Sequence, residues 1–412
     1  MIGFQGAPRG AFFVEALDGL EVASMKLDFR IFKYYPFGGL ERNFLRITEE
    51  CVERGHAVTI RVGRWEGDIP AFLDAPGCGV VEVPATGFSN HAFRASYVRN
   101  LPSTLDGPSD LVVGFKQMPG LDLYYAGDVC YAFEARSRPF SMPRRLTARD
   151  RLFREYERAI FAPESNTRIL ELSAAQRAAY SAEYGTPPDR FFPIPPGIDK
   201  ERIRGALDDG ADFRRSLGVS DSDAMVLMVG SDFKRKGVER SIRGLAALPP
   251  ELGEGGKLFV VGEGDPRPLK RLAERLGVSD RVFFEGGRDD VPKYLAAADM
   301  LSHPAVSENT GNAIVEALVA GLPVITTSNC GYAFHVERAE AGAVVPGSPF
   351  AQSAFDAALS DILSDLKSRR EEWRSKALEY SDKEDLYGRP VAVADIIEGL
   401  VEEKRRANGA VG

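Results

Sequence analysis

The segment 302–332, SHPAVSENTGNAIVEALVAGLPVITTSNCGY, constrains the fold more than any other stretch. It reads as a strand end, a polar loop, a helix from about Asn312 to Ala320, a stop at Gly321-Leu322-Pro323 and a β-branched strand over 324–327. Glu308 in the loop and Glu316 just over one turn inside the helix bracket Thr310-Gly311-Asn312. The glycine and the unpaired N–H groups of the first helical turn make an anion site. Phosphate on those N–H groups, with a carboxylate on either side for hydroxyl groups, is an arrangement that suits a sugar nucleotide. An ordinary connection with a solvated Glu308 and a capping Asn312 explains the same residues equally well.

The same alternation runs along the whole chain. Strand-like runs at 26–32, 57–62, 79–83 and 111–115 are followed by a second series at 224–229, 258–261, 282–284 and 297–303. Strands alternating with helices predict a parallel, doubly wound sheet with ligands at the carboxyl ends of the strands. At 412 residues the chain exceeds one ordinary core. Pro193-Ile194-Pro195-Pro196-Gly197-Ile198 is the stiff connector at which it divides. The expected organisation is a loose extension over 1–24 (with Met25 as an alternative start), α/β domains over 25–197 and 198–380, and a helical tail over 381–412.

Composition narrows the function classes. Cys51, Cys78, Cys130 and Cys330 are scattered singly, which reads as free thiols in a reducing cytoplasm. Neither they nor His56, His91, His303 and His335 have metal-ligand spacing, so no protein-bound metal is expected. No apolar run reaches transmembrane length, and the N-terminus lacks the pattern of a secretory signal. The net charge of −8 divides unevenly: −2 over 1–24, +1 over 25–197 and −7 over 198–412. The first half is therefore the better candidate to meet an anionic partner.

Within that half, Gly38-Gly39 lies between the first strand and an amphipathic helix, where paired glycines let backbone approach a ligand closely. A plain turn is the competing explanation. His56, in Arg-Gly-His-Ala-Val, reads as a structural turn residue. The stretch 116–131, KQMPGLDLYYAGDVCY, follows a strand end and carries Lys116 and Asp128. Asp128 is the carboxylate to watch, either as a site residue or as a buried cap. Residues 134–158 hold eight Arg against four acids, interleaved with Phe140, Met142, Leu146, Leu152, Phe153 and Tyr156. That pattern reads as an anionic membrane surface contact, with a solvated helix face as the alternative. In the second half, Arg235-Lys236 stands between a strand end and a helix, where a diphosphate needs cations.

Glu308 and Glu316 also form the EX7E motif of retaining family 4 glycosyltransferases of GT-B fold. KYYPFGGLERNF, RWEGD, VVGFKQMPGLDLYYAGDVCY, PPGI, VGSDFKRKGVERSI, LFVVGEGDPR, GRDDV, AAADMLSHPA, EALVAGLPVITTSNCGYA and DLYGRP resemble, in order, segments of the WaaG-type lipopolysaccharide glucosyltransferases across 26–400. The resemblance implies two Rossmann-like domains facing across a cleft, with the C-terminal helix crossing back to the first domain. It implies metal-free transfer of a hexose, glucose above all, from a UDP-sugar to a heptose of the lipopolysaccharide inner core, with retention. It also implies a place on the cytoplasmic face of the inner membrane, with contact through 134–158 and no nucleic-acid partner.

Carried over motif by motif, Arg235 and Lys236 neutralise the diphosphate, Glu316 binds ribose hydroxyls and Glu308 holds hydroxyls of the donor sugar. Backbone at Gly38-Gly39 and Gly311-Asn312 cradles phosphates, Arg288 borders the uracil, and Asp128 takes the position near the reacting centre where many family 4 enzymes carry histidine. One departure bears on the donor: glucose-using members carry alanines after the first Glu, whereas this chain has Asn309 and, at the helix start, Asn312. Galactose, GlcNAc and GalNAc donors therefore stay open. A UDP-sugar 2-epimerase and a two-domain sugar-binding protein share the outline and are the rival readings.

Overall fold

The computed structural model describes residues 24–36, 38–136, 147–253 and 255–409. The expected extension over 1–24 thus lies almost wholly outside the described residues, as do 137–146 of the Arg-rich stretch.

Two parallel sheets carry the molecule. The first has seven strands in the order β3-β2-β1-β4-β5-β6-β7. Its inner strands β1 (Lys26–Ile31), β2 (Ala57–Val62) and β4 (Leu111–Gly114) are flanked by β3 (Gly79–Glu82) on one side and by β5 (Leu123–Tyr125), β6 (Arg168–Glu171) and β7 (Phe191–Pro193) on the other. The second sheet has the order β10-β9-β8-β11-β12-β13. Here β8 (Ala224–Val229), β9 (Gly256–Val261) and β10 (Val282–Gly286) lie on one side, and β11 (Met300–His303), β12 (Val324–Thr327) and β13 (Gly342–Val345) on the other. In each sheet the first strand is internal and the order reverses beside it. That reversal opens a crevice at the strands' carboxyl ends, where ligands bind in doubly wound folds.

The strand run expected at 57–62 matches β2, and that at 224–229 matches β8. Strands β5, β6, β7 and β13 have no counterpart in the sequence expectations. They are only 3 or 4 residues long. Such runs carry too few residues for an alternation to register. Strand β7 also takes in Pro193, so the expected connector begins as an edge strand, where a missing N–H is tolerated.

The helix Gln352–Lys383 packs on the second sheet through Phe355, Leu359, Leu363 and Trp373. The last helix, Arg389–Gly409, instead places Val393, Ala394, Ile397 and Val401 in the core of the first sheet. Arg54, the C-cap of the helix Gly39–Glu53, meets Asp395 at 2.7 Å and Glu398 at 3.1 Å. His56 is buried and bonds Glu398 at 2.9 Å, a structural role as expected. No helix among the described residues is long and apolar enough to cross a membrane.

Candidate active site

The crevice between the sheets forms a cleft of about 340 Å³. Gly38, Gly39, Arg235, Lys236, Arg288, Glu308, Asn312 and Glu316 all line it, as do Glu41, Arg42, Lys116 and Arg389.

On the second domain, the loop after β11 leads into the helix Asn312–Val319. Gly311 caps that helix at φ 96°, a left-handed backbone that a Cβ disfavours, and no side chain covers the first N–H groups. The turn carrying Arg235 and Lys236, the helix Phe233–Lys236, follows β8. Its Asp232 is a non-glycine residue at φ 62° whose side chain caps the Arg235 N–H. The Val306 N–H donates to Arg235 O at 2.8 Å, so turn and loop are locked together.

Both cations converge on one carboxylate. Glu308 Oε2 accepts from Arg235 Nη1 at 2.6 Å and from Lys236 Nζ at 2.5 Å. Burial pushes the Glu308 carboxyl up, but Lys236 and Arg235 outweigh it and hold it down at about 2. His303, wholly buried at the end of β11, is driven down to about 3 by burial, with Lys236 adding to the effect. It is therefore neutral. Glu316, at the other end of the loop–helix unit, meets Arg42 of the first domain at 3.4 Å.

On the first domain, Gly38 precedes the helix Gly39–Glu53 and leaves room for Glu41. A Cβ on Gly38 would stand 1.7 Å from Glu41 Oε2. Glu41 is buried, and burial raises its pKa; Lys116 lowers it and Asp128 raises it further. Asp128 bonds Lys116 Nζ at 2.9 Å and the Tyr124 hydroxyl at 3.4 Å. Burial raises the Asp128 pKa, and the attraction of Lys116 and Arg94 overcomes it, so the carboxylate lies below its ordinary range. Lys116 lines the cleft and pairs with Asp128, which is half-buried and is not itself among the lining residues.

Two sequence expectations change here. The sequence offers Asn309 as a reader of the donor sugar. It is buried, with its amide donating to Ala126 O at 2.7 Å across the domain interface, and it does not line the cleft. Asn312 does line the cleft, and its amide oxygen is buried without a hydrogen-bond partner among the described residues. The aromatic interleaving also reads differently within the described part of 134–158, with Phe140, Met142 and Leu146 lying outside it. On the helix Ala148–Phe161, Phe153, Tyr156, Ile160 and Phe161 turn inward, while Arg149, Arg151 and Arg158 stay exposed. The aromatic residues of that helix serve the core, and its outward face carries Arg149, Arg151 and Arg158 with Glu155 among them.

Glu41, Arg42 and Arg389 were not anticipated. Glu41 has a weak signal, an acid three residues after the helix cap Gly38. Arg42 and Arg389 have none, because their partners are 274 and 264 residues away in sequence. Among the described residues, no group of three or more His, Cys, Asp or Glu side chains could hold a metal ion.

The chain matches the model "Glycosyl transferase 4-like domain" over 38–197 and "Glycosyl transferases group 1" over 209–380. It is 41% identical over 379 residues to the lipopolysaccharide glucosyltransferase WaaG of Escherichia coli K12, covering 91% of this chain and 99% of that one. A crystal structure of WaaG superposes with a TM-score of 0.84, covering 90% of this chain and 99% of the other. The lipopolysaccharide core biosynthesis glycosyltransferase LpsE of Rhizobium meliloti is 35% identical over 157 residues, 38% of this chain and 44% of its own. Anabaena HepE in complex with UDP and glucose shares the fold, with a TM-score of 0.68 at 20% identity over 92% of this chain and 99% of that one.

Proposed function

Because the chain belongs to the family of the lipopolysaccharide glucosyltransferase WaaG, we propose that its cleft transfers glucose from UDP-glucose to a heptose of the lipopolysaccharide inner core, with retention at the anomeric carbon. One observation carries the assignment of the chemistry: Arg235, Lys236 and Glu308 form a single cluster on the cleft wall, with Glu316 eight residues further along the same loop–helix unit.

In this reading Arg235 and Lys236 stabilise charge on the departing diphosphate, work that a bound cation does in other transferases. The uncapped N–H groups after Gly311, with the Gly38-Gly39 backbone opposite, hold its oxygens. Glu316 takes the ribose hydroxyls and Glu308 those of the sugar. Arg288, which forms a two-point pair with Asp290, borders the base. The acceptor is offered by the first domain, 25–197, and the donor by the second, 198–380.

The acceptor oxygen attacks C1 on the face that the phosphate leaves. The C1–O bond to phosphate breaks as the new glycosidic bond forms, and the acceptor proton passes to the leaving phosphate oxygen. The protein's share is positioning and electrostatics. Asp128, paired with Lys116, steadies positive charge at the reacting carbon. A glycosyl adduct trapped on Asp128 or Glu308 would overturn same-face attack.

We further propose that the enzyme works peripherally on the cytoplasmic face of the inner membrane, docking through the exposed arginines of 134–158. Phe133, also exposed, lies at the edge of that stretch.

A donor panel tests the reaction. UDP-glucose, UDP-galactose, UDP-GlcNAc and UDP-GalNAc are each supplied with and without heptose-terminated core, with and without EDTA. Acceptor-dependent UDP release with UDP-glucose, unchanged by EDTA, is expected. The other donors belong in the panel because Asn312 faces the cleft. Conversion without acceptor would mean an epimerase, and binding without turnover a sugar-binding protein.

A further inference from the structure

One further cation of the cleft, Arg389, is given no part by the reaction. Arg389, the first residue of the returning helix, is completely buried. Among the described residues no carboxylate pairs with it; it bonds instead to three neutral oxygens. Its Nη1 donates to the Tyr125 hydroxyl at 2.8 Å, its Nη2 to the Tyr332 hydroxyl at 2.6 Å and its Nε to Pro195 O at 2.8 Å. The guanidinium also lies over the Tyr125 ring, 5.8 Å from the centroid. Burial pushes the Tyr125 phenol up to about 12, so this partner stays neutral. A buried guanidinium is costly, and one with all its bonds in fixed directions persists only where the geometry is over-determined.

The three partners belong to three different parts of the molecule. Tyr125 ends β5 on the first sheet and stands three residues before Asp128. Tyr332 lies on the second domain, and its N–H holds Thr310 O at 2.8 Å, inside the loop between Glu308 and Asn312. Pro195 lies in the connector. The stem of Arg389 is packed as firmly as its head: a Cβ on Gly197 would stand 2.6 Å from Asn43 Oδ1 and 2.9 Å from Arg389 Cβ.

We infer that Arg389 is a positioning residue for the transfer reaction, a three-way clamp that sets the strand end bearing Asp128 against the loop bearing Glu308. The planar fork of arginine makes the clamp possible, since its N–H groups diverge at fixed angles toward separate acceptors. A lysine ammonium can hold one or two of these oxygens but not all three in their present places. The inference rests on the reaction proposed above. It gives a reason for a buried charge at the cleft with no acid among the described residues to neutralise it.

The test compares wild type with Arg389→Met, Arg389→Lys, Tyr125→Phe and Tyr332→Phe. Expected for Arg389→Met is a fall in kcat of at least about tenfold, the scale of cost from a small displacement of reacting groups. UDP affinity stays within about twofold, because Arg235, Lys236, Glu316 and the helix start after Gly311 all belong to the second domain and only the Gly38-Gly39 backbone to the first. Arg389→Lys recovers part of kcat. In the Arg389→Met background, adding Tyr332→Phe costs little more, since the clamp is already gone.

A readout independent of turnover is the distance between nitroxides at Arg99→Cys and Glu274→Cys in a Cys78→Ser background, one label on each domain. Arg389→Met is expected to broaden that distribution. A kcat within twofold of wild type, an unbroadened distribution, or a loss confined to UDP affinity would each overturn the clamp. Should Arg389→Met fail to fold, the two Tyr→Phe variants, each lacking one hydroxyl, decide the matter by the same readouts. Wild-type protein without turnover would overturn the proposed reaction instead, while the label distances would still judge the clamp.

Discussion

Glu308 and Lys236 meet at 2.5 Å, and Arg235 reaches the same carboxylate oxygen at 2.6 Å. The acid proposed for the sugar and the cations proposed for the diphosphate are thus partners of one another. A diphosphate and the Glu308 carboxylate compete for the same two donors, and both must be accommodated when the donor binds.

That competition predicts the behaviour of Glu308→Gln. Turnover falls about 100-fold, the scale of losing one preorganised charge in a site. UDP, which has no sugar for Glu308 to hold, binds at least as tightly as to wild type. Initial rates and calorimetric titration with UDP check the pair of outcomes. Acid stability changes as well. The folded pKa of Glu308 is depressed to about 2, so its stabilising effect is present above the ordinary carboxylate value and lost as pH falls toward 2. Glu308→Gln lacks this component, and its acid-unfolding curve is flatter between about pH 4.5 and 2.

Glu41 gives the opposite sign. Burial raises its pKa, so ionising it in the folded state is a cost that grows as pH rises through the folded value. Glu41→Gln, uncharged and nearly the same shape, should therefore be more stable than wild type at neutral pH. The difference should vanish below the ordinary carboxylate range. Melting temperatures across pH 4 to 8 decide it, and a constant offset would contradict the burial argument.

Asn309 and Asn312, neighbours in the loop, should separate cleanly. Asn309→Ala loses the buried bond to Ala126 O, which costs on the order of 1 kcal/mol of stability. Its ratio of UDP-glucose to UDP-galactose turnover stays as in wild type. Asn312→Ala removes an amide from the cleft wall, and its donor KM or donor ratio changes about threefold or more. A shifted donor ratio in the Asn309 variant would return that residue to the sugar site.

For the membrane contact, neutralising Arg144, Arg145 and Arg149 to glutamine should weaken sedimentation with anionic vesicles about tenfold or more, at roughly 1 kcal/mol for each basic residue near the surface. UDP affinity should not change. Vesicle binding by wild type should also weaken as salt rises from 0.05 to 0.3 M, since exposed charges are screened. Binding indifferent to both changes would make the stretch a plain solvated face.

The loop–helix unit was legible because its signals are local. Glu308, Gly311, Asn312 and Glu316 lie within nine residues, and a helix start, a glycine and a β-branched run are all read within one window. Arg235-Lys236 was legible for the same reason, through its place after β8. Asp128 was legible as a carboxylate of interest, but its pairing with Lys116 was not. That pairing depends on how the chain leaves β5, where the Tyr124 hydroxyl donates to the Asp128 carboxylate and the Tyr180 hydroxyl to its carbonyl.

By itself the amino-acid sequence determined the alternating α/β architecture, its division into two domains and the family's motif residues. Those follow from hydrophobic period, turn chemistry and short spacings, which act within about 15 residues. Only the tertiary structure decided that Asn309 ties domains together while Asn312 faces the cleft, that the aromatics of the helix Ala148–Phe161 serve the core, and that Arg389 joins Tyr125, Tyr332 and Pro195. Each of these depends on which distant groups are brought within hydrogen-bond reach, and no local period in the chain encodes a partner 264 residues away.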